Sequence, residues 1–204
     1  MNTAMRENTT INSKKVLIMG LDNSGKTSIV LCLRGVKDLS SFSSLNPTRG
    51  FKINKFQALG SEYSIWDFGG QEQFREGYLN DFRTHIKEAN KFIYVLDIQD
   101  QERFDISLNY LGKIVILLKK QKVNIDFSIF LHKYDPDLEF TNKEFSEKVV
   151  PILIRNIKEL IPKDFMYQIY KTSIYTVFSK IGNIKKRKGR DIFCLTKRMI
   201  QKHR

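Results

Sequence analysis

An α/β fold, with a six-stranded, mostly parallel sheet and helices on both faces, is predicted by three features of this 204-residue chain. Strand-like apolar runs alternate with helical ones along its length. A glycine-rich turn, Gly20-Leu-Asp-Asn-Ser-Gly25-Lys26-Thr27, joins the apolar run Val16-Leu-Ile-Met19 to Ser28-Ile-Val-Leu-Cys-Leu33. Further on, Tyr63-Ser-Ile65-Trp-Asp67 alternates up to an acid, so that a carboxylate emerges at the carboxyl edge of a strand, where open α/β sheets bind their ligands.

The elements follow in order. The first strand spans 14 to 20 and the first helix 26 to 34. Strands at 51 to 59 and 62 to 67 form a hairpin around Gly60-Ser61. A helix at 73 to 88 leads to a strand at 91 to 97, and a helix at 102 to 121 leads to a strand at 126 to 131, which holds the run Phe127-Ser-Ile-Phe-Leu131. The last predicted helix, 142 to 161, contains Pro151, whose ring removes a hydrogen bond and should kink or split it. Met166-Tyr-Gln-Ile-Tyr170 marks a final strand at 165 to 171. Residues 1 to 13 read as a flexible N-terminus and 14 to 204 as a single domain, large enough to bury an adequate core without staples.

Composition excludes several classes. No apolar stretch reaches membrane-spanning length. The first ten residues are polar and lack a signal-peptide core, which argues against secretion and for the cytoplasm. Cys32 and Cys194 stand at no metal-ligand spacing and read as small buried residues of a reducing compartment.

The glycine-rich turn carries the chemistry. Successive backbone N–H groups at a helix N-terminus form a cradle for phosphate oxygens, Lys26 reaches the outer phosphates, and the Thr27 hydroxyl can ligate magnesium. Asp22, Asn23, Ser24, Gly25, Lys26, Thr27 and Ser28 are therefore the candidate phosphate-contacting run of a nucleoside triphosphate site. The loop leaves the base and the reaction open. Asp67 can hold a magnesium-bound water beside it, and the Gly69-Gly70 pair permits close backbone approach, so the Gly70 N–H is a candidate donor to the terminal phosphate.

Four further segments stand in an informative order: Asn46-Pro47-Thr48-Arg49-Gly50-Phe51, Trp66-Asp67-Phe68-Gly69-Gly70-Gln71, His132-Lys133-Tyr134-Asp135 and Thr172-Ser173-Ile174. With the phosphate loop they resemble a small GTPase of the Ras superfamily over roughly residues 14 to 175. The loop, Pro-Thr-x-Gly-Phe and Trp-Asp-x-Gly-Gly-Gln are similar to the Arf branch, while His-Lys-x-Asp and Thr-Ser-Ile are similar to the Rag branch. The resemblance implies a molecular switch that binds GTP or GDP with Mg2+ and hydrolyses GTP slowly. It also implies protein effectors, an exchange factor and a GTPase-activating protein, the last supplying an arginine finger. Arg49 is the candidate for a finger in cis.

The resemblance assigns roles residue by residue. Thr48 would bring a second hydroxyl to the magnesium, so that its loop is ordered only with the terminal phosphate present. Gln71 is the catalytic candidate, since a neutral amide can accept from an attacking water and donate to phosphoryl oxygens; otherwise it is an ordinary polar loop residue. Asp135 can accept both N1–H and the exocyclic amine of guanine, for which adenine offers no match. The Lys133 stem can lie along the base. His132 stands where Asn is commoner, either bonding the nucleotide directly or serving as a buried structural residue. Ser173 and Ile174 stand where backbone N–H groups meet the guanine carbonyl, or in a simple strand-end turn.

Phe51, Trp66, Tyr78 and Phe82 belong either to a partner-facing surface around the switch loops or to the core. The net charge of +13 is concentrated: residues 176 to 204 hold ten Lys or Arg against one Asp. Lys185 to Arg190 reads as a loop before a closing helix at 191 to 200, with Ile192, Leu195, Met199 and Ile200 on one face. This segment is either a solvated edge or a weak contact to anionic membrane or acidic protein. Nucleic acid is disfavoured, because no aromatic and basic interleaving occurs. Asn2 and the end Gln201-Lys-His-Arg204 offer neither a myristoylation nor a prenylation site, and no added dimerisation domain is expected after the GTPase domain. Two rivals remain: a GTP-locked scaffold without hydrolysis, and a small-molecule kinase on the same loop, which would leave His-Lys-Tyr-Asp unexplained.

Overall fold

The computed structural model describes residues 12–174, apart from 37, 39, 139–141 and 143. The basic segment at 176 to 204, the helix expected at 191 to 200 and Cys194 lie outside the described residues. One six-stranded sheet forms the centre, in the order β2-β3-β1-β4-β5-β6. Its strands are β1 (Asn12–Gly20), β2 (Phe51–Ala58), β3 (Ser61–Phe68), β4 (Ala89–Asp97), β5 (Asp126–His132) and β6 (Gln168–Lys171). Only β2 and β3 pair antiparallel, turned at Leu59-Gly60, one residue before the expected position. β1 begins within the stretch read as flexible: Asn12 and Ser13 already pair with Ser61 and Glu62.

The helices are α1 (Lys26–Leu33), α2 (Ser40–Ser43), α3 (Glu72–Asn80), α4 (Phe82–Ile86), α5 (Phe104–Lys120) and α6 (Val150–Leu160). Alternation along the strands splits the core in two. Val16 and Ile18 of β1 pack with Ile29, Val30 and Leu33 of α1 on one face. Leu17 and Met19 face Tyr78, Phe82, Leu111, Ile114 and Leu153 from the other helices. Among the described residues no helix is long and apolar enough to cross a membrane.

Two helices differ from expectation. The single helix at 73 to 88 is broken at Asp81 (φ −92°, ψ 16°), whose carbonyl accepts from the Thr84 and His85 N–H groups and starts α4. Around Pro151 the helix changes type rather than breaking: a π-helical turn at Phe145–Val149 runs directly into α6 through helical Val149 and Val150, and Pro151, which has no N–H to donate, falls in the first turn of α6.

The four aromatics separate as well. Phe82 is only 1% exposed and packs against Phe92, and Tyr78 is buried, so the partner-facing reading fails for both. Phe51 is 41% exposed and stacks on half-buried Trp66 with ring centroids 5.1 Å apart.

Candidate functional site

The carboxyl edges of β1 and β3 deliver the phosphate loop and Asp67 side by side, because these strands pair in parallel with Ile18 opposite Asp67. Gly20 closes β1, and the chain turns through Asn23 (φ 56°) and Gly25 (φ 87°) before α1 starts at Lys26. Left-handed backbone at Gly25 leaves the first N–H groups of α1 directed into the loop. A cleft of about 370 Å³ opens there, lined by Asp22, Asn23, Gly25, Lys26, Thr27 and Ser28 on one side and by Thr48, Gly70 and Gln71 on the other.

A buried cation and a buried carboxylate, Lys26 and Asp67, interact electrostatically at this cleft. Lys26 is buried, and its ammonium donates to the Leu21 carbonyl at 2.5 Å and to Ser24 Oγ at 3.4 Å. Burial pulls its pKa down to about 8, against the opposing pull of Asp67 and Asp22. Asp67 is fully buried; its Oδ2 accepts the Thr27 hydroxyl at 2.7 Å, while Oδ1 has no hydrogen-bond partner among the described residues. Burial raises its pKa, opposed by the Thr27 hydrogen bond and by Lys26. A buried cation and a buried half-paired carboxylate are costly unless a ligand of complementary charge completes them. The Thr27 and Thr48 hydroxyls lie 3.2 Å apart beside that carboxylate.

The loop bearing Thr48 is tied to the glycine pair. Gly50 O accepts from the Gly69 N–H at 2.8 Å and from the Tyr78 hydroxyl at 2.7 Å. Gly70 is pressed on the phosphate loop: a Cβ there would stand 2.0 Å from Asp22 N. Gln71, at the start of α3 in extended conformation, is half-buried at the cleft wall. Arg49 is exposed.

A second cluster forms at the end of β5. His132 is buried, and its Nδ1 lies 2.9 Å from Thr172 Oγ1. Burial and the neighbouring Lys133 charge pull its pKa down to about 4, so the ring is neutral. Its other edge packs on Gly25, which joins this cluster to the phosphate loop. Lys133 has left-handed backbone (φ 60°) and an ion pair with Asp97 at 2.6 Å. The Asp135 carboxylate accepts from the Gln99 amide at 3.0 Å and from the Ser173 hydroxyl. Gln99 also donates to Lys133 O at 2.8 Å. Ile174 packs against the α1 side of the core.

The candidate nucleotide-site residues thus stand at one edge of the sheet, in one group around Gly25, Lys26 and Asp67 and a second around Asp135, joined at His132 and Gly25. Asp97, Gln99 and Arg103 were missed, and Thr172, quoted within Thr172-Ser173-Ile174, was given no role of its own although it meets His132. The first three act on residues far away in the chain and belong to no short motif.

Comparison with known proteins places the chain among related sequences and folds. The family model described as the Gtr1/RagA G protein conserved region matches residues 15–185. ADP-ribosylation factor-like protein 3 of Caenorhabditis elegans is 32% identical over 145 residues, covering 70% of this chain and 72% of that protein. ADP-ribosylation factor-like protein 2 of Dictyostelium discoideum is 34% identical over 134 residues, 65% and 67% of the two chains. Among solved structures, the Arl6 BBS3 small GTPase from Trypanosoma brucei, with the nucleotide analogue GppNp bound, superposes with a TM-score of 0.59. It covers 79% of this chain and 87% of that one at 22% identity, a likeness of fold.

Proposed function

Because the chain belongs to the Gtr1/RagA family of G proteins, an Arf- and Rag-like GTPase of the Ras superfamily, we propose that it is a magnesium-dependent switch that hydrolyses GTP slowly and relies on a partner for speed. The observation that carries this reading is the meeting of the Thr27 and Thr48 hydroxyls with the Asp67 carboxylate in the cleft that Gln71 lines.

The donor set fits magnesium. Two hydroxyls and a carboxylate are hard oxygen ligands, and Asp67 Oδ1 is a buried acceptor without a donor among the described residues. Thr27 and Thr48 would hold the ion with Asp67 beside them, and when bound it would offset the charge of the outer phosphate oxygens.

This chain's own residues would do the following. Lys26 and the N–H groups of residues 22 to 28 cradle the phosphates. Gln71 orients the attacking water by accepting its proton side and donating to a phosphoryl oxygen. The Gly70 N–H meets the terminal phosphate, and loss of that phosphate releases Thr48 and the segment from Gly69 to Arg75. Asp135 reads guanine N1–H and the exocyclic amine, Lys133 lies along the base, and Ser173 and Ile174 offer N–H groups to the guanine carbonyl. His132, with Nδ1 on Thr172 and its other edge against Gly25, supports a bracing role between the two loops. Arg103 is held by Asp22 and Asp100, and Arg75 lies over the Tyr110 ring. Neither is poised as a finger, which supports supply of that charge by a GTPase-activating protein.

Effectors would meet the exposed Phe51 and Trp66 surface. The basic segment at 176 to 204 would add a weak electrostatic contact with anionic lipid at a membrane face. The test is the nucleotide released from purified protein, identified by chromatography, together with phosphate release from GTP and ATP with and without magnesium. Recovered GDP and slow, magnesium-dependent turnover of GTP are expected; a preference for ATP would overturn the role of Asp135, and intact GTP without turnover would favour the locked scaffold.

A further inference from the structure

Asp22 presents a difficulty for a loop that binds phosphate: it is an acid in the wall of an anion site. Its carboxylate Oδ1 is met at 2.9 Å by Nη1 of Arg103, and Nη2 of the same guanidinium reaches the Asp22 carbonyl at 3.4 Å. Arg103 ends a 3-10 turn (Gln101–Arg103) directly before α5 and is 81 residues away in the chain. Its own direction is set by Asp100, whose Oδ2 accepts from Nε at 2.7 Å and also contacts Nη2. The planar fork of Arg suits this double grip on a side chain and a backbone carbonyl, where a Lys ammonium would hold one point only.

We propose that Arg103 is a positioning residue of the phosphate loop, neutralising the Asp22 carboxylate and holding it with its carbonyl against the start of α5 while the polyphosphate is bound. The inference rests on the nucleotide-binding reading above. Arg103 and Asp22 side chains are 31% and 44% exposed, so the pair adds little to folding stability. Its effect falls on the ligand instead, because a nucleotide brings several negative charges into the cleft that Asp22 lines. Released from Arg103, that carboxylate would repel the phosphates and be free to compete for Lys26, with which it already interacts electrostatically.

Removing each charge in turn tests the idea. GDP and GTP affinity and dissociation rate are measured on the full chain with magnesium for the wild type, Arg103→Ala, Arg103→Gln, Asp22→Asn and the double variant Asp22→Asn/Arg103→Ala, which closes the cycle. Arg103→Ala should weaken binding about tenfold, mainly through faster dissociation, and the loss should shrink at high salt. Arg103→Gln keeps donors without charge and should fall in the same range. Removing the orphaned acid in the double variant should recover most of the loss, a non-additivity that a merely structural arginine would not produce. The proposal is overturned by unchanged binding in both single Arg103 variants, or by a double variant as weak as Arg103→Ala. If the unmutated chain itself binds no guanine nucleotide, the nucleotide-binding reading fails and takes this inference with it.

Discussion

The imidazole of His132 occupies the space where a side chain on Gly25 would go: a Cβ on Gly25 would stand 2.4 Å from the ring Cδ2 and 2.7 Å from Nε2. Gly25 also has φ 87°, a backbone conformation that L side chains rarely adopt. Gly25→Ala should therefore destabilise the fold by roughly 2 kcal/mol or more and abolish tight nucleotide binding. Thermal denaturation and nucleotide titration measure both. Adding His132→Ala should return part of the stability, because it removes the clash and leaves only the backbone strain; no recovery would show that the ring is not what Gly25 accommodates.

His132 makes stability depend on pH. Its folded pKa, about 4, lies below the ordinary value of 6.5, so the unfolded chain binds the extra proton first. The neutral ring's contribution is complete above pH 6.5 and is lost as pH falls towards 4, by at most about 3 kcal/mol. The fall in denaturant midpoint between pH 7.5 and pH 5 should be smaller in His132→Asn than in the wild type. Equal falls would mean that His132 titrates normally.

Lys26 predicts a second pH effect. Its ammonium, at about 8 in the free protein, gains phosphate partners on binding, which raises its pKa. Nucleotide affinity should hold steady below pH 8 and weaken above it, with proton uptake on binding. Calorimetry at pH 8.5 in buffers of different ionisation enthalpy measures that uptake directly; no uptake would mean that Lys26 is already charged at that pH.

Gln71 lies in the wall of the cleft facing the phosphate loop. Replacing its amide by Leu should leave GTP binding within a few-fold and slow hydrolysis about 100-fold or more, with the larger effect in the presence of an activating partner. Single-turnover phosphate release with matched affinity measurement separates the two. Unchanged turnover would remove Gln71 from the chemistry.

Much of the fold and the phosphate side of the site was legible in the sequence. Gly20 to Thr27 is contiguous, and its strand before and helix after are local patterns. The six strands fall close to their expected places because alternation and buried runs are written in the chain. Elements set by packing were harder to read. Phe82 and Phe51 are both aromatics near the switch loops, yet one is buried against Phe92 and the other stacks at the surface on Trp66.

The sequence by itself determined the order of motifs, hence the glycine-rich loop, the candidate base-contacting acid Asp135 and the family, since each is carried by neighbouring residues whose spacing already implies their geometry. Tertiary structure alone decided how those motifs are braced. His132 meets Thr172 across 40 residues, Gln99 meets Asp135 across 36, and Arg103 meets Asp22 across 81. Such pairs exist only once β1 lies between β3 and β4, and β5 lies between β4 and β6. Side-chain partners chosen by sheet order leave no local signature in the chain, and for that reason the braces became visible only in the fold.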